Sequence, residues 1–139
     1  MAKVRVVMNL PVGAETVWRS LRDFAGIIKW QPDLANLQVT GSGVGAIRTL
    51  TDKDGARQVE RLESLNDEAR TLSFTVLQTT LPLEGCVAQL SVRDLGFGKS
   101  EVAWSSTFGA KGAPEAEVVS LLEKSYRRAL ARLARLLSS

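Results

Sequence analysis

The sequence predicts an α+β fold of the helix-grip type, a curved seven-stranded antiparallel sheet around a long C-terminal helix, with two short helices after strand 1. Three observations carry this. Apolar residues alternate with a period of two through the middle of the chain, in six runs joined by connections short enough to require antiparallel neighbours. Helical periodicity is confined to the segment after the first strand and to residues 114–137. The inner face of such a sheet needs cover, and the terminal helix is the one element long enough to give it.

Each element follows in turn. Val4, Val6 and Met8 alternate with Lys3, Arg5 and Val7 in a first strand that ends at Asn9-Leu10-Pro11. Val17, Leu21 and Phe24 then recur at helical spacing, so residues 14–24 read as a short helix closed by Gly26. Ile27-Ile28-Lys29-Trp30 makes a second short helix, stopped at Gln31 because the residue before Pro32 disfavours the α region. Residues 36–41 form a weak strand, followed by a glycine-rich turn over 41–45 that lacks the helix a phosphate site would need. Strands at 46–52, 56–66, 71–79, 86–95 and 100–109 are separated by Lys53-Asp54-Gly55, Asn66-Asp67-Glu68-Ala69, Leu81 to Gly85, and Gly96-Phe97-Gly98-Lys99. Pro114 opens the last helix, whose stripe is Val118, Val119, Leu122, Tyr126, Ala129, Leu130, Leu133 and Leu137. No linker or repeat interrupts the pattern, so residues 1–139 read as one domain.

Composition excludes several classes of function. The chain has 45% hydrophobic and 24% charged residues, an ordinary globular balance. It contains no histidine, which removes Ser-His-Asp and Cys-His devices and every histidine-ligated metal. Neither a metal nor another cofactor is expected. The lone Cys86 has no internal disulfide partner. With no secretion signal and no run long enough for a membrane span, a cytoplasmic protein is expected, as a monomer or homodimer. The net charge of +3 arises largely from Lys124, Arg127, Arg128, Arg132 and Arg135 on the solvated face of the last helix. No nucleic-acid recognition motif accompanies them, and no nucleic-acid partner is expected.

The Lys53-Asp54-Gly55 turn has a geometric consequence. A three-residue loop ending in glycine is a type I turn plus bulge, which makes Asp52 and Ala56 the closing pair. Counting outward, Leu50 faces Gln58 and Arg48 faces Glu60, with Leu62 on the same side. Neither face of this hairpin is cleanly apolar. Arg48 and Glu60 are therefore either an ion pair inside the concavity or a solvated cross-strand pair.

Pro11-Val12-Gly13-Ala14-Glu15-Thr16-Val17-Trp18, with Phe24, Trp30 and Pro32, resembles the opening of the START-like superfamily (Bet v 1-like or SRPBCC; polyketide cyclase/dehydratase-like). Gly43 to Arg48, Glu60-Arg61-Leu62-Glu63, Leu81-Pro82 and Val102-Ala103-Trp104 extend the resemblance over nearly the whole chain. It implies a deep cavity between sheet and helix, with Arg48 and Glu60 pointing into it. Inward positions then follow by strand parity. They are Leu50, Asp52 and Gln58 on the hairpin; Phe74, Val76 and Gln78; Cys86, Ala88 and Leu90; and Trp104, Ser106 and Phe108. The helix adds Leu122, Ser125 and Ala129, and Trp30 either stacks on a ligand ring or packs in the core. Many relatives carry a tyrosine where this chain has Cys86, so a tyrosine-based network does not transfer whole.

Glu60 is the candidate general acid/base and Arg48 the candidate anchor for a substrate oxygen. Asp52 suits a solvated turn, Gln78 a ligand carbonyl or a strand end, and Cys86 a small apolar lining. The leading functional reading is a cofactor-independent cyclase, dehydratase or isomerase for a polyketide-like or other apolar natural-product intermediate. The alternative is a non-catalytic carrier or sensor of a hydrophobic small molecule. A third reading is a module that acts on a partner enzyme through the loops at the cavity mouth.

Overall fold

The structure, a computed structural model, describes residues 1–138. Strand β1 (Ala2–Leu10) is followed by α1 (Ala14–Arg22), a single 3₁₀ turn (Phe24–Gly26) and α2 (Ile27–Trp30). Six strands follow, β2 (Leu34–Thr40), β3 (Ile47–Asp52), β4 (Arg57–Asn66), β5 (Thr71–Gln78), β6 (Leu83–Gly96) and β7 (Lys99–Ala110), then α3 (Glu115–Ser138). The sheet is antiparallel with order β1-β7-β6-β5-β4-β3-β2, so every neighbour in sequence from β2 onward is a hairpin partner and β1 closes on β7.

The α3 helix lies on the concave side, closest to β1 and β7. Its stripe Val118, Leu122, Tyr126, Ala129, Leu130 and Leu133 is buried, while Val119 and Leu137 are half-buried. Each fully buried side chain of this size stabilises by roughly 1.5–3 kcal/mol over its exposed state, enough to hold the helix against the sheet. Trp18, off the apolar stripe of α1, is buried beside the sheet and donates its Nε1–H to Asp67 in the β4–β5 turn at 2.8 Å.

Three boundaries differ by two residues or more from those read in the sequence, each for a local reason. The first helix ends at Arg22 because Asp23 takes an extended backbone, and Phe24 belongs to the 3₁₀ turn instead. Strand β2 runs from Leu34, two residues early, with a bulge at its start. Strand β6 begins at Leu83, not 86: Gly85, at φ +61, sits in a bulge between Glu84 and Val87 that lets pairing with β7 continue through an apparent turn. Among the described residues no helix is long and apolar enough to cross a membrane.

Candidate functional site

The β3–β4 hairpin builds the centre of the site. Asp52 N–H donates to Ala56 O at 2.9 Å, and the Asp52 carboxylate accepts from the N–H groups of Asp54 and Ala56, both at 2.9 Å. Gly55 takes φ +87, a conformation costly for any residue with a Cβ. With the turn fixed, Leu50 pairs with Gln58 and Arg48 with Glu60, on the concave face. Both charged residues are buried, Arg48 at 3% and Glu60 at 4% exposure.

Their charges are matched in detail. Arg48 Nε and Nη2 each approach Glu60 Oε1 at 2.7 Å, and Nη1 donates to the Phe24 carbonyl at 2.9 Å. The guanidinium lies 3.9 Å from the Phe24 ring centroid and 4.9 Å from that of Phe74. Burial lowers the pKa of Arg48, and the Glu60 charge and hydrogen bond oppose that shift. Glu60 Oε2 accepts from Gln58 Nε2 at 2.6 Å, Gln58 Oε1 accepts from Thr79 Oγ1 at 2.8 Å, and Thr79 Oγ1 accepts from Leu81 N–H at 3.1 Å. The ion pair thus begins a relay that ends in the β5–β6 loop.

Glu60 and Gln58 open onto a chamber of about 200 Å³ between the sheet, α2 and α3. Leu50, Phe74, Val76, Ala88 and Leu122 supply its apolar wall, and Cys86, Trp104, Ser125 and Asp52 also line it. Tyr126 joins them from α3. Its ring stacks on Trp104 at 3.9 Å and 7°, and its hydroxyl shares a 2.5 Å hydrogen bond with Ser106 Oγ. Burial raises the Tyr126 phenol above its ordinary pKa, the Ser106 bond working the other way, so the group is a neutral phenol at physiological pH. Burial likewise pushes the Cys86 thiol up to about 11, leaving it protonated and a poor nucleophile.

Strand parity placed several side chains here that the structure puts elsewhere. Arg48 is inward but lies outside the chamber lining, with its N–H groups turned to Glu60 and Phe24. Gln78 is exposed and outside the lining as well. A bulge in β5 sets Val76 opposite Glu60 but Gln78 opposite Val59, which reverses the alternation after Val76. Leu90, Ser106, Phe108 and Ala129 are buried without lining the chamber, since α3 fills the β1–β7 side of the concavity. Trp30 packs edge-on against Trp104 at 5.9 Å, also outside it. Residues that parity missed include Tyr126, Thr79, Leu83 and Ile27, all in the lining. Tyr126 was legible as a helix-stripe residue one turn from Leu122. Thr79 depends on the β5 bulge, for which the sequence carries no signal. Among the described residues no group of His, Cys, Asp and Glu is arranged to hold a metal ion.

The sequence profile of a family described as polyketide cyclase / dehydrase and lipid transport matches residues 1–138. No curated protein sequence matches the chain significantly. Among solved structures, XoxI from Bacillus cereus is 25% identical, covers 100% of this chain and 97% of its own, and superposes with a TM-score of 0.93. An uncharacterised protein from Bacillus thuringiensis is 24% identical over 99% of this chain and 100% of its own, with a TM-score of 0.92. The Zhui aromatase/cyclase from a Streptomyces species shares the fold at 15% identity and a TM-score of 0.84, covering 99% of this chain and 93% of its own.

Proposed function

The chain belongs to the polyketide cyclase / dehydrase and lipid transport family, and on that premise we propose that it is a cofactor-independent cyclase, dehydratase or isomerase acting on a small, mostly apolar carbonyl compound. The observation that carries this reading is Glu60, a buried carboxylate in the wall of an apolar chamber, with a neutral phenol, Tyr126, in the same wall. Arg48 is a positioning residue here: it balances the buried charge and fixes Glu60 Oε1. Glu60 Oε2 has accepted one hydrogen bond, from Gln58, and a carboxylate oxygen accepts two.

The chemistry that fits is enolisation. Glu60 Oε2 removes a proton from the carbon next to a ligand carbonyl, and Tyr126, its hydroxyl accepting from Ser106 Oγ–H, donates its one proton in a hydrogen bond to the oxygen on which negative charge develops. The enolate carbon then bonds to a second carbonyl carbon of the same folded molecule, whose oxygen takes up the proton held by Glu60. Loss of that hydroxyl with a neighbouring hydrogen, as water, completes a dehydration. Holding the chain folded supplies much of the rate, since it makes the closure intramolecular. The chamber volume lies below the roughly 300–1,000 Å³ of common ligand pockets, which favours a substrate of about one ring.

The competing reading is a carrier, and one observation favours it: the relay from Arg48 to Leu81 is complete without a ligand. Deuterium exchange at the α-carbon of a small cyclic ketone, followed by NMR, separates the two. An enzyme accelerates exchange, and Glu60→Gln slows it by around 10²–10⁴ while binding is nearly kept. A ketone that binds in the chamber without any acceleration of exchange would leave the carrier.

A further inference from the structure

A second concavity, of about 550 Å³, lies on the far side of Trp30 from the chamber, between α1, α2 and the C-terminal half of α3. Its floor is apolar, formed by Trp30, Leu133 and Leu137, and its volume falls within the range of common ligand sites. The rim is different in character. Arg19 and Lys29 stand on it, exposed, beside the hydroxyls of Thr16 and Ser20.

These two cations are not engaged as their neighbours are. Arg22 is tied to Asp67 at 2.8 Å and Arg128 to Asp33 at 2.8 Å, while Arg19 has a 3.5 Å contact with Thr16 Oγ1 and, among the described residues, neither Arg19 nor Lys29 has a carboxylate partner. Among the described residues Asp23 is the one acid on the rim. Its Oδ2 lies 2.9 Å from where a Cβ on Gly26 would stand, so it folds back over its own turn. The buried Trp30 Nε1–H has no acceptor among the described residues. An apolar floor and two exposed cations without a carboxylate partner among the described residues together describe a receptor for an anionic amphiphile.

We propose that this groove is a second ligand site, separate from the chamber, that binds a monocarboxylate with an unbranched alkyl body. The alkyl chain lies on Leu133, Leu137 and Trp30, and the carboxylate sits at the rim between Arg19 and Lys29. The two aromatic residues Trp30 and Trp104, in edge-to-face contact, stand between this groove and the chamber. The proposal does not depend on the chemistry assigned to Glu60.

Dodecanoate is titrated into the ¹³C,¹⁵N-labelled protein below its micellar range, with dodecanol as the uncharged control. The resonances followed are the Trp30 indole N–H, the Leu133 and Leu137 methyls, and, for the chamber, Leu122 and Tyr126. Dodecanoate is expected to shift the Trp30, Leu133 and Leu137 signals saturably. The double charge reversal Arg19→Glu/Lys29→Glu should weaken it about ten-fold, less at high salt, and leave dodecanol unchanged. In Ala88→Trp, which fills the chamber, the groove shifts should persist. The proposal is overturned if dodecanoate shifts only chamber signals, if no groove signal saturates, or if the charge reversal leaves its affinity unaltered.

Discussion

Replacing Arg48 by methionine tests how the ion pair is built. The substitution keeps an unbranched apolar stem between the Phe24 and Phe74 rings but removes three hydrogen-bonded nitrogens, two on Glu60 Oε1 and one on the Phe24 carbonyl. Glu60, at 4% exposure, then keeps Gln58 as its remaining donor. Breaking a buried pair from one side costs about 3–5 kcal/mol, and an orphaned buried carbonyl adds about 1–3 kcal/mol. A loss of about 5 kcal/mol rivals the whole stability of a small domain, roughly 5–15 kcal/mol. In the double variant Arg48→Met/Glu60→Leu no charge is left behind, so the loss should shrink to about 1–3 kcal/mol. Urea unfolding followed by tryptophan fluorescence reads both as shifts in midpoint at constant slope. If Arg48→Met lies within about 1 kcal/mol of the parent, or the double variant is as unstable as the single, the pair does not balance a buried charge and the reasoning fails.

Other expectations follow from the same geometry. Ala88→Trp and Leu122→Trp should each fill the chamber at an overpacking cost of about 1–3 kcal/mol and abolish chamber binding, as titration calorimetry would show. Cys86 should resist iodoacetamide at pH 8 in the native protein and react fully once unfolded, because burial holds its thiol at about 11. That raised pKa also sets a sign. The stability it contributes is complete below the unfolded value near 9.0 and is lost as pH rises toward about 11, so the midpoint in urea should fall across that window, and less steeply in Cys86→Ala. Thr79→Val should release both Gln58 Oε1 and the Leu81 N–H, costing about 1–3 kcal/mol and speeding amide exchange at Leu81.

Much of this molecule was legible in the sequence because its turns are strict. The glycine closing Lys53-Asp54-Gly55 sets the register of one hairpin, and from it the pairing of Arg48 with Glu60 follows by counting. The order of periodicities likewise defines a sheet capped by α3. Two kinds of feature escaped. Bulges are irregular by nature: the one after Val76 turns Gln78 outward and brings Thr79 inward, and the one at Gly85 extends β6 back to Leu83. Parity also assigns a face without saying whether that face meets a cavity or a neighbour. Leu90, Phe108 and Ala129 all face inward and are buried without lining the chamber, whereas Tyr126, one turn from Leu122 on the same helix stripe, lines it while its hydroxyl bonds Ser106 on β7. Arg48 shows the same limit: counting pairs it with Glu60 and the family resemblance implies that both point inward, but the sequence does not tell that Glu60 and Phe24 occupy its donors.

The central claim is that the chamber under Glu60 is a small-molecule site. Native mass spectrometry of the protein taken from the cells that make it tests this directly, with Ala88→Trp measured alongside. The parent should carry a mass increment from one small apolar molecule, released on denaturation, and Ala88→Trp should lack it while remaining folded by circular dichroism. No increment in the parent, or the same increment in the folded variant, would contradict the assignment.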